Sequence, residues 1–326
     1  MNLGVGIDVG YGHTKALSST GASVVFPSAV GLADPQTFRL HLNGRGAPTA
    51  HERTVQVDDV PYFVGEAALR HARAVVQPRD RDWLDSLAYR ILWYAALESV
   101  LLPGTAPTIV TGLPVSFYHD RDRLQQVVAH VLAARHSTAL QVRVVPQPFG
   151  SFFDALFDAQ GQLVNDAPAL AHSGIIDVGY FTTDVVEVQE LEYVQKGSGS
   201  IGVGVATMLD TLRGLLTQRF GYVVSVHEAE QVLRNQRLRR AGQEHDFSAE
   251  CTMAVRDAAL AILTYVHQLW GAGDQFDQIL LTGGGGVIVQ AFFTEQIPQL
   301  QLAPTPMVAN ARGYVRYALY CGRQSR

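Results

Sequence analysis

An α/β fold assembled from two copies of one plan is what this 326-residue sequence predicts. Three observations predict it. The length exceeds what one hydrophobic core ordinarily serves and suits two domains of roughly 150 residues. The phrase Asp-Val-Gly-Tyr occurs twice, at Asp8 and at Asp177, each time behind a short apolar run. In both halves, strand-like runs ending in glycine turns alternate with segments of helical period, so strands and helices share a sheet.

In the first half, Leu3 to Ile7 is an apolar run feeding Asp8-Val9-Gly10. Thr14 to Ser18 resumes the strand character up to Ser19-Thr20-Gly21, and Ala22 to Phe26 reads as a third strand stopped by Pro27. Arg53 to Val57 and Tyr62 to Val64, parted by Asp58-Asp59-Val60-Pro61, predict a hairpin. Trp83 to Leu102 has the apolar spacing of an amphipathic helix ended by Pro103-Gly104, and Asp120 to Arg135 is a second helix. Thr108 to Thr111 and Gln141 to Val145 read as buried strands. The second half repeats the opening with strands at Gly174 to Asp177, Thr182 to Val188 and Leu191 to Gln195, then a glycine-rich connection over Gly197 to Gly204. Helices are predicted at about Ala206 to Phe220, His227 to Arg240, Ala249 to Trp270 and Asn310 to Gly322. Ile279 to Thr282 is a strand running into Gly283 to Gly286. Phe157 to His172 and Leu42 to Glu52 read as flexible loops.

Composition narrows the function classes. With 47% hydrophobic and 17% charged residues and a net charge of -5, the chain can fill its cores and has no basic excess for broad nucleic-acid binding. Two cysteines, Cys251 and Cys321, are too few for a disulfide framework or a cysteine metal site. No apolar run reaches the roughly 20 residues of a membrane span, and the first residues do not read as a secretion signal, so a cytoplasmic protein with no membrane partner is expected. Lysine occurs only twice against 23 arginines, yet Lys15 lies inside the first repeated phrase, where a compact point charge suits the site better than a planar fork.

An aspartate at the end of a buried strand, followed by a glycine turn, sits on a rigid element beside backbone N–H groups of the kind that cradle phosphate oxygens. Each phrase also carries a threonine six residues after its aspartate, Thr14 and Thr183, whose hydroxyl would add to such a cradle. Two turns of this kind would clamp a polyphosphate, with Asp8 and Asp177 holding Mg2+ through its waters and Lys15 reaching the outer phosphates. A single copy would be read as no more than a strand ending at a turn; the repetition in register favours the clamp. His13 reads as a polar turn residue. Gly197-x-Gly199-x-x-Gly202 matches a dinucleotide fingerprint by count alone and reads as a loop near the nucleotide. Arg234 to Arg240 reads as a basic, solvated helix end.

The segments GIDVGYGHTK, FPSAVG (Phe26 to Gly31), FVGEAA (Phe63 to Ala68), VTGLPVSFY (Val110 to Tyr118), IIDVGYFTTDVV and ANARGY (Ala309 to Tyr314) together resemble the ParM-like bacterial and archaeal actins. These belong to the actin, sugar-kinase and heat-shock chaperone ATPase superfamily, and the matches run over nearly the whole chain. The resemblance implies an actin-like ATPase fold of two duplicated ribonuclease H-like domains with an interdomain nucleotide cleft. The expected boundaries are 1–148 for the first domain, completed by a C-terminal helix at 311–326, and 149–310 for the second. It implies Asp8, Gly10, Gly12, Thr14 and Lys15 as the first phosphate loop and Asp177, Gly179, Thr182 and Thr183 as the second. Gln147, in VVPQPFG, falls where relatives orient the attacking water. Gly283, Gly284 and Gly285 match the adenosine loop, and Glu230 and Arg234 fall where relatives contact the nucleoside. The activity implied is slow hydrolysis of ATP to ADP with Mg2+, coupled to head-to-tail filaments for DNA segregation or scaffolding, with a DNA-binding adaptor as a further partner. A non-polymerising nucleotide-dependent adaptor is the alternative. A small-molecule kinase is another, for which Asn165-Asp166 would have to supply the base.

Overall fold

The computed structural model describes residues 3–33, 53–77, 81–101, 104–134, 139, 141–164 and 171–324. Leu42 to Glu52 and Asn165-Asp166 lie outside the described residues, as does the middle of the Phe157 to His172 loop. The chain forms two compact units, Met1–Asp166 with Val308–Arg326, and Ala167–Met307. The boundary thus falls later than residue 148. The helix at Phe149–Leu156 joins the first unit because Ser151 and Asp154 on it bond to Asn310 and Arg312 of the C-terminal helix.

The first unit is built on strands β1 (Gly4–Val9), β2 (His13–Ser18), β3 (Ser23–Pro27), β7 (Thr108–Leu113) and β8 (Gln141–Pro146) in the order β3-β2-β1-β7-β8. The β3-β2 and β2-β1 pairs are antiparallel, whereas β1-β7 and β7-β8 are parallel. A smaller sheet, β4 (Val30–Leu32), β6 (Val60–Val64) and β5 (Arg53–Val57), stands beside it with the short helix α1 (Glu66–His71). Helix α2 (Leu87–Val100) starts at Ser86, whose hydroxyl accepts from the Tyr89 N–H, after a 3-10 turn at Arg81–Asp85. The expected start at Trp83 therefore moves to the serine cap. Most of α2 is buried, including Ile91, Leu92 and Trp93, so it fills the core where the sequence read it as amphipathic. Helices α3 (Arg121–Ala134) and α4 (Phe149–Leu156) complete the unit with the C-terminal helix.

The second unit repeats the plan with β9 (His172–Val178), β10 (Thr183–Gln189), β11 (Glu192–Ile201), β14 (Gln278–Thr282) and β15 (Leu300–Leu302) in the order β11-β10-β9-β14-β15. Its pairs are again antiparallel, antiparallel, parallel and parallel. The remaining elements are helices α5 (Val205–Phe220), α6 (Val226–Asn235), α7 (Ser248–Trp270) and α8 (Gly286–Thr294), with a hairpin of β12 (Arg237–Arg240) and β13 (Gln243–Asp246).

Two expectations change here. The helix read over His227 to Arg240 ends at Asn235, where Gln236 takes φ 57°, and Arg237–Arg240 turns back as a strand through Ala241 (φ 46°) and Gly242 (φ 80°). Two successive positive φ values are the requirement of a tight hairpin, so the basic segment is a strand and not a helix end. The Gly197 to Gly204 connection is strand as far as Ile201. A Cβ on Gly197 would meet the Glu187 carboxylate, and one on Gly199 would lie 2.1 Å from the Tyr265 hydroxyl. Gly197 and Gly199 serve close packing, which removes the dinucleotide resemblance, while Gly204 at the other end of the connection lies against the Gly179 and Tyr180 carbonyls of the second Asp-Val-Gly-Tyr turn.

Helix α9 (Pro306–Gln324) closes the first unit over a row of small residues. A Cβ at Gly6 would lie 2.1 Å from the Ala311 carbonyl, and one at Gly112 2.0 Å from the Tyr314 hydroxyl. These absent side chains let the helix lie against β1 and β7.

Candidate functional site

The first Asp-Val-Gly-Tyr turn joins β1 to β2, and the Gly10 N–H donates to the His13 carbonyl at 3.2 Å. A Cβ on Gly10 would stand 3.1 Å from that same carbonyl, so the closed turn favours glycine. His13 thereby acts through its backbone. Asp8 and Lys15 are direct partners across the β1-β2 ladder, and Lys15 Nζ donates to Asp8 Oδ2 at 2.9 Å with both groups largely buried. The other carboxylate oxygen, Oδ1, accepts from Gln147 Nε2 at 3.0 Å. This differs from the expectation of Asp8 on Mg2+ and Lys15 on the outer phosphates. Cross-strand register brings the two charges together, so each neutralises the other.

Gln147 lies between β8 and α4. Its backbone N–H donates to the Leu113 carbonyl at 2.7 Å, and its own carbonyl accepts from the Gly150 N–H at 3.0 Å and the Tyr314 hydroxyl at 3.0 Å. A carboxylate only accepts, so the contact with Asp8 fixes which end of the amide faces it. The amide carbonyl Oε1 has no partner among the described residues. A cavity of about 40 Å³ adjoins this residue, walled by Tyr11, Trp83, Tyr89, Phe117 and Asp120, and is large enough for water. Burial, and after it the negative charge of Asp8, pushes the Tyr89 phenol pKa up.

The second turn joins β9 to β10 with the same closure. The Gly179 N–H donates to the Thr182 carbonyl at 2.9 Å, and a Cβ on Gly179 would lie 3.0 Å from it. Asp177 is buried, and its partner across the ladder is Asp184, also buried. Directly paired residues project from the same side of the sheet, so two carboxylates are neighbours here. The sequence analysis passed over Asp184, although its offset from Asp177 equals that of Lys15 from Asp8. Gly283 (φ 83°) leaves the adjacent parallel strand β14, and a Cβ there would be 2.3 Å from Asp177 Oδ1. The Gly285 N–H donates to the Val178 carbonyl at 2.9 Å, while Gly284 faces open space. The second turn, the glycine run and the N-terminal end of α8 therefore meet at the carboxyl ends of two parallel strands, the usual ligand position of an open α/β sheet. The first turns of α5 close onto the same loop, with Val205 and Ala206 N–H groups donating to the Gly179 and Tyr180 carbonyls.

The threonines have a different part from the one expected. Ser28 donates its hydroxyl proton to the Gly10 carbonyl at 2.6 Å, so in the 2.9 Å Thr14–Ser28 contact Thr14 is the donor. Thr183 donates to the Val203 carbonyl at 2.8 Å. Both threonines are fully buried with their protons committed to the loop scaffold, whereas Thr182 is half-buried. Ser28 N–H also donates to the Gly12 carbonyl at 2.9 Å, tying the first turn down. Glu230 lies near the second turn. Burial first, then the charges of Glu230 and Asp210, pushes the Tyr180 phenol up to about 12. Arg234, one helical turn further along α6, is exposed.

Among the described residues no group of three or more histidine, cysteine or acidic side chains is arranged for a metal, and no helix is long and apolar enough to cross a membrane.

Known proteins share this arrangement. Residues 6–150 match the family described as actin like proteins N terminal domain, and residues 175–295 match archaeal actin homologue MreB-like, C-terminal. An archaeal actin homologue of Thermoplasma acidophilum is 24% identical over 95% of this chain and 97% of its own length. The subunit of a 15-stranded ParM filament from Clostridium botulinum superposes with TM-score 0.77 at 23% identity, covering 98% of this chain and 99% of that one. A crystal structure of an archaeal actin homologue in complex with ADP gives TM-score 0.74 at 21% identity, covering 96% and 98%. Two family matches that meet the two structural units in turn, on one doubled sheet topology, place the chain among the actin-like proteins, with the actin-like ATPase fold that the ParM and archaeal actin structures share.

Proposed function

We propose that this chain binds ATP with Mg2+, hydrolyses it slowly and assembles head to tail into filaments. The observation that carries the reading is the repeated turn: one in each unit, each closed by the same glycine hydrogen bond behind a buried aspartate. Such a turn binds phosphate through its backbone, and Gly283 to Gly285 let the chain approach the nucleoside beside Glu230. The described residues of the second turn suit Mg2+, because Asp177 and Asp184 offer hard oxygen donors and this ion needs few carboxylates while keeping much of its water. When bound, it offsets charge on the phosphate oxygens.

Gln147 holds water by acceptance. Asp8 fixes the Nε2 end, so Oε1 is turned to accept a hydrogen bond from a water and leave the water's lone pair for the γ-phosphate. Lys15 holds the other carboxylate oxygen of Asp8 in place. A neutral amide orients water without removing a proton effectively, which gives positioning without strong base catalysis and therefore slow turnover. The ADP complex of one relative and the filament of another support this reading. A role in DNA segregation through a DNA-binding adaptor, or in cytoplasmic scaffolding, goes with it.

The test is right-angle light scattering after addition of ATP and Mg2+, with ADP as control and phosphate release followed in parallel. A lagged rise that decays as phosphate appears is expected. A flat trace with steady phosphate release would overturn self-assembly, and no release would overturn hydrolysis. Gln147→Ala should slow release roughly 100-fold while nucleotide affinity is kept, and its polymers should last longer. Loss of affinity in that variant would move Gln147 out of the hydrolytic role.

A further inference from the structure

We propose that Tyr314, on the C-terminal helix, is a positioning residue for Gln147 and so sets the rate of hydrolysis from the opposite end of the sequence. This rests on the water-orienting role of Gln147 given above.

The geometry is specific. Tyr314 is fully buried, and its hydroxyl donates to the Gln147 backbone carbonyl at 3.0 Å. The phenol reaches that carbonyl across β7 at the one point where β7 has no side chain, since a Cβ on Gly112 would lie 2.0 Å from the hydroxyl and 2.9 Å from the Gln147 Cα. Gln147 is thus held at both backbone groups, by Leu113 on one side and by Tyr314 and Gly150 on the other. From the backbone so held, the amide reaches Asp8 at 3.0 Å.

The helix carrying Tyr314 is itself locked to α4, the element that follows Gln147. Asn310 Oδ1 accepts from the Ser151 N–H at 2.9 Å and from its hydroxyl at 2.6 Å. Arg312 forms a two-pronged pair with Asp154 at 2.7 and 2.6 Å. A Cβ on Gly313 would collide with the Gly150 carbonyl, so helix and connection are in backbone contact. The Ala309 to Tyr314 segment therefore sets the backbone of residues 147–154 besides packing on β1 at Gly6. Removing the Tyr314 hydroxyl leaves the Gln147 carbonyl its Gly150 partner, so the fold survives while one restraint is lost.

The test is Tyr314→Phe, with Tyr320→Phe on the same helix as control. Phosphate release should fall roughly tenfold through kcat, with KM and ADP affinity unchanged. In a Gln147→Ala background the same change should have no further effect, because Tyr314 acts through Gln147. In nucleotide-free protein, amide exchange over 147–151 should speed up in Tyr314→Phe and stay unchanged in Tyr320→Phe. If Gln147→Ala slows hydrolysis and Tyr314→Phe does not, the proposal is overturned and the role of Gln147 stands. If Gln147→Ala has no effect, the underlying reading fails. If Tyr314→Phe slows the Gln147→Ala variant as well, the tyrosine acts by another route and the proposal is wrong.

Discussion

The two Asp-Val-Gly-Tyr turns share a backbone and differ in charge. In both, a glycine N–H closes on the carbonyl three residues later, and a Cβ on that glycine would crowd the same oxygen. Across the ladder, however, Asp8 meets Lys15, whereas Asp177 meets Asp184. The first turn is electrically complete within its own unit: one carboxylate oxygen is taken by an ammonium and the other by an amide. The second sets two buried carboxylates opposite one another, with Gly283 against Asp177. A duplicated backbone has thus been given two tasks by one side chain in each copy. The first turn sets its aspartate against a lysine and a glutamine; the second sets its aspartate against another carboxylate.

The sharpest way to break this comparison is to remove the second turn's leading carboxylate. Asp177→Ala should lower phosphate release at least about 100-fold, because the charge that a bound cation would answer is lost. Normal turnover in that variant would refute the assignment of the second turn.

Exchanging the cross-strand residues tests the asymmetry itself. Lys15→Met leaves Asp8 buried without its cation and should cost about 3 kcal/mol in urea unfolding of the nucleotide-free protein. Asp184→Asn relieves a like-charge contact and should change stability by less than about 1 kcal/mol, while raising the Mg2+ concentration needed for half-maximal hydrolysis. Equal stability losses in the two variants would mean that the two turns are not electrostatically different. The smallest effect is expected at Tyr180. Its folded pKa stands raised to about 12, from an ordinary value of 10, through burial and the Glu230 charge. The unfolded phenol loses its proton first, so the stabilising contribution is complete below pH 10 and is lost as pH rises towards 12. Tyr180→Phe should flatten that alkaline decline in thermal melts, and an unchanged slope would detach Tyr180 from it.

Much of this was legible in the residues. The repeated phrase marked both turns, and Gly10, Gly179, Gly283 and Gly285 stand where the backbone is closed or closely approached. The antiparallel arms β1-β2-β3 and β9-β10-β11 follow from strands that are neighbours in sequence, whereas the β1-β7 and β9-β14 pairs join strands far apart in it. What misled was local pattern without its tertiary partner. Glycines at 197 and 199 resembled a loop because nothing nearby in sequence says that Glu187 and Tyr265 press against them. Arg237 to Arg240 resembled a helix end because the turn at Ala241-Gly242 carries only one glycine. Ser28, Asp184 and Tyr314 escaped notice because their importance lies in a partner across the sheet or, for Tyr314, 167 positions away.

By itself the sequence determined which backbone the chain would adopt twice, since apolar runs and glycine turns are local requirements repeated in each half. Only the tertiary structure decided what each turn does with its charge. Ladder register sets which side chains stand opposite Asp8 and Asp177, and a buried carboxylate takes its chemistry from the group it faces.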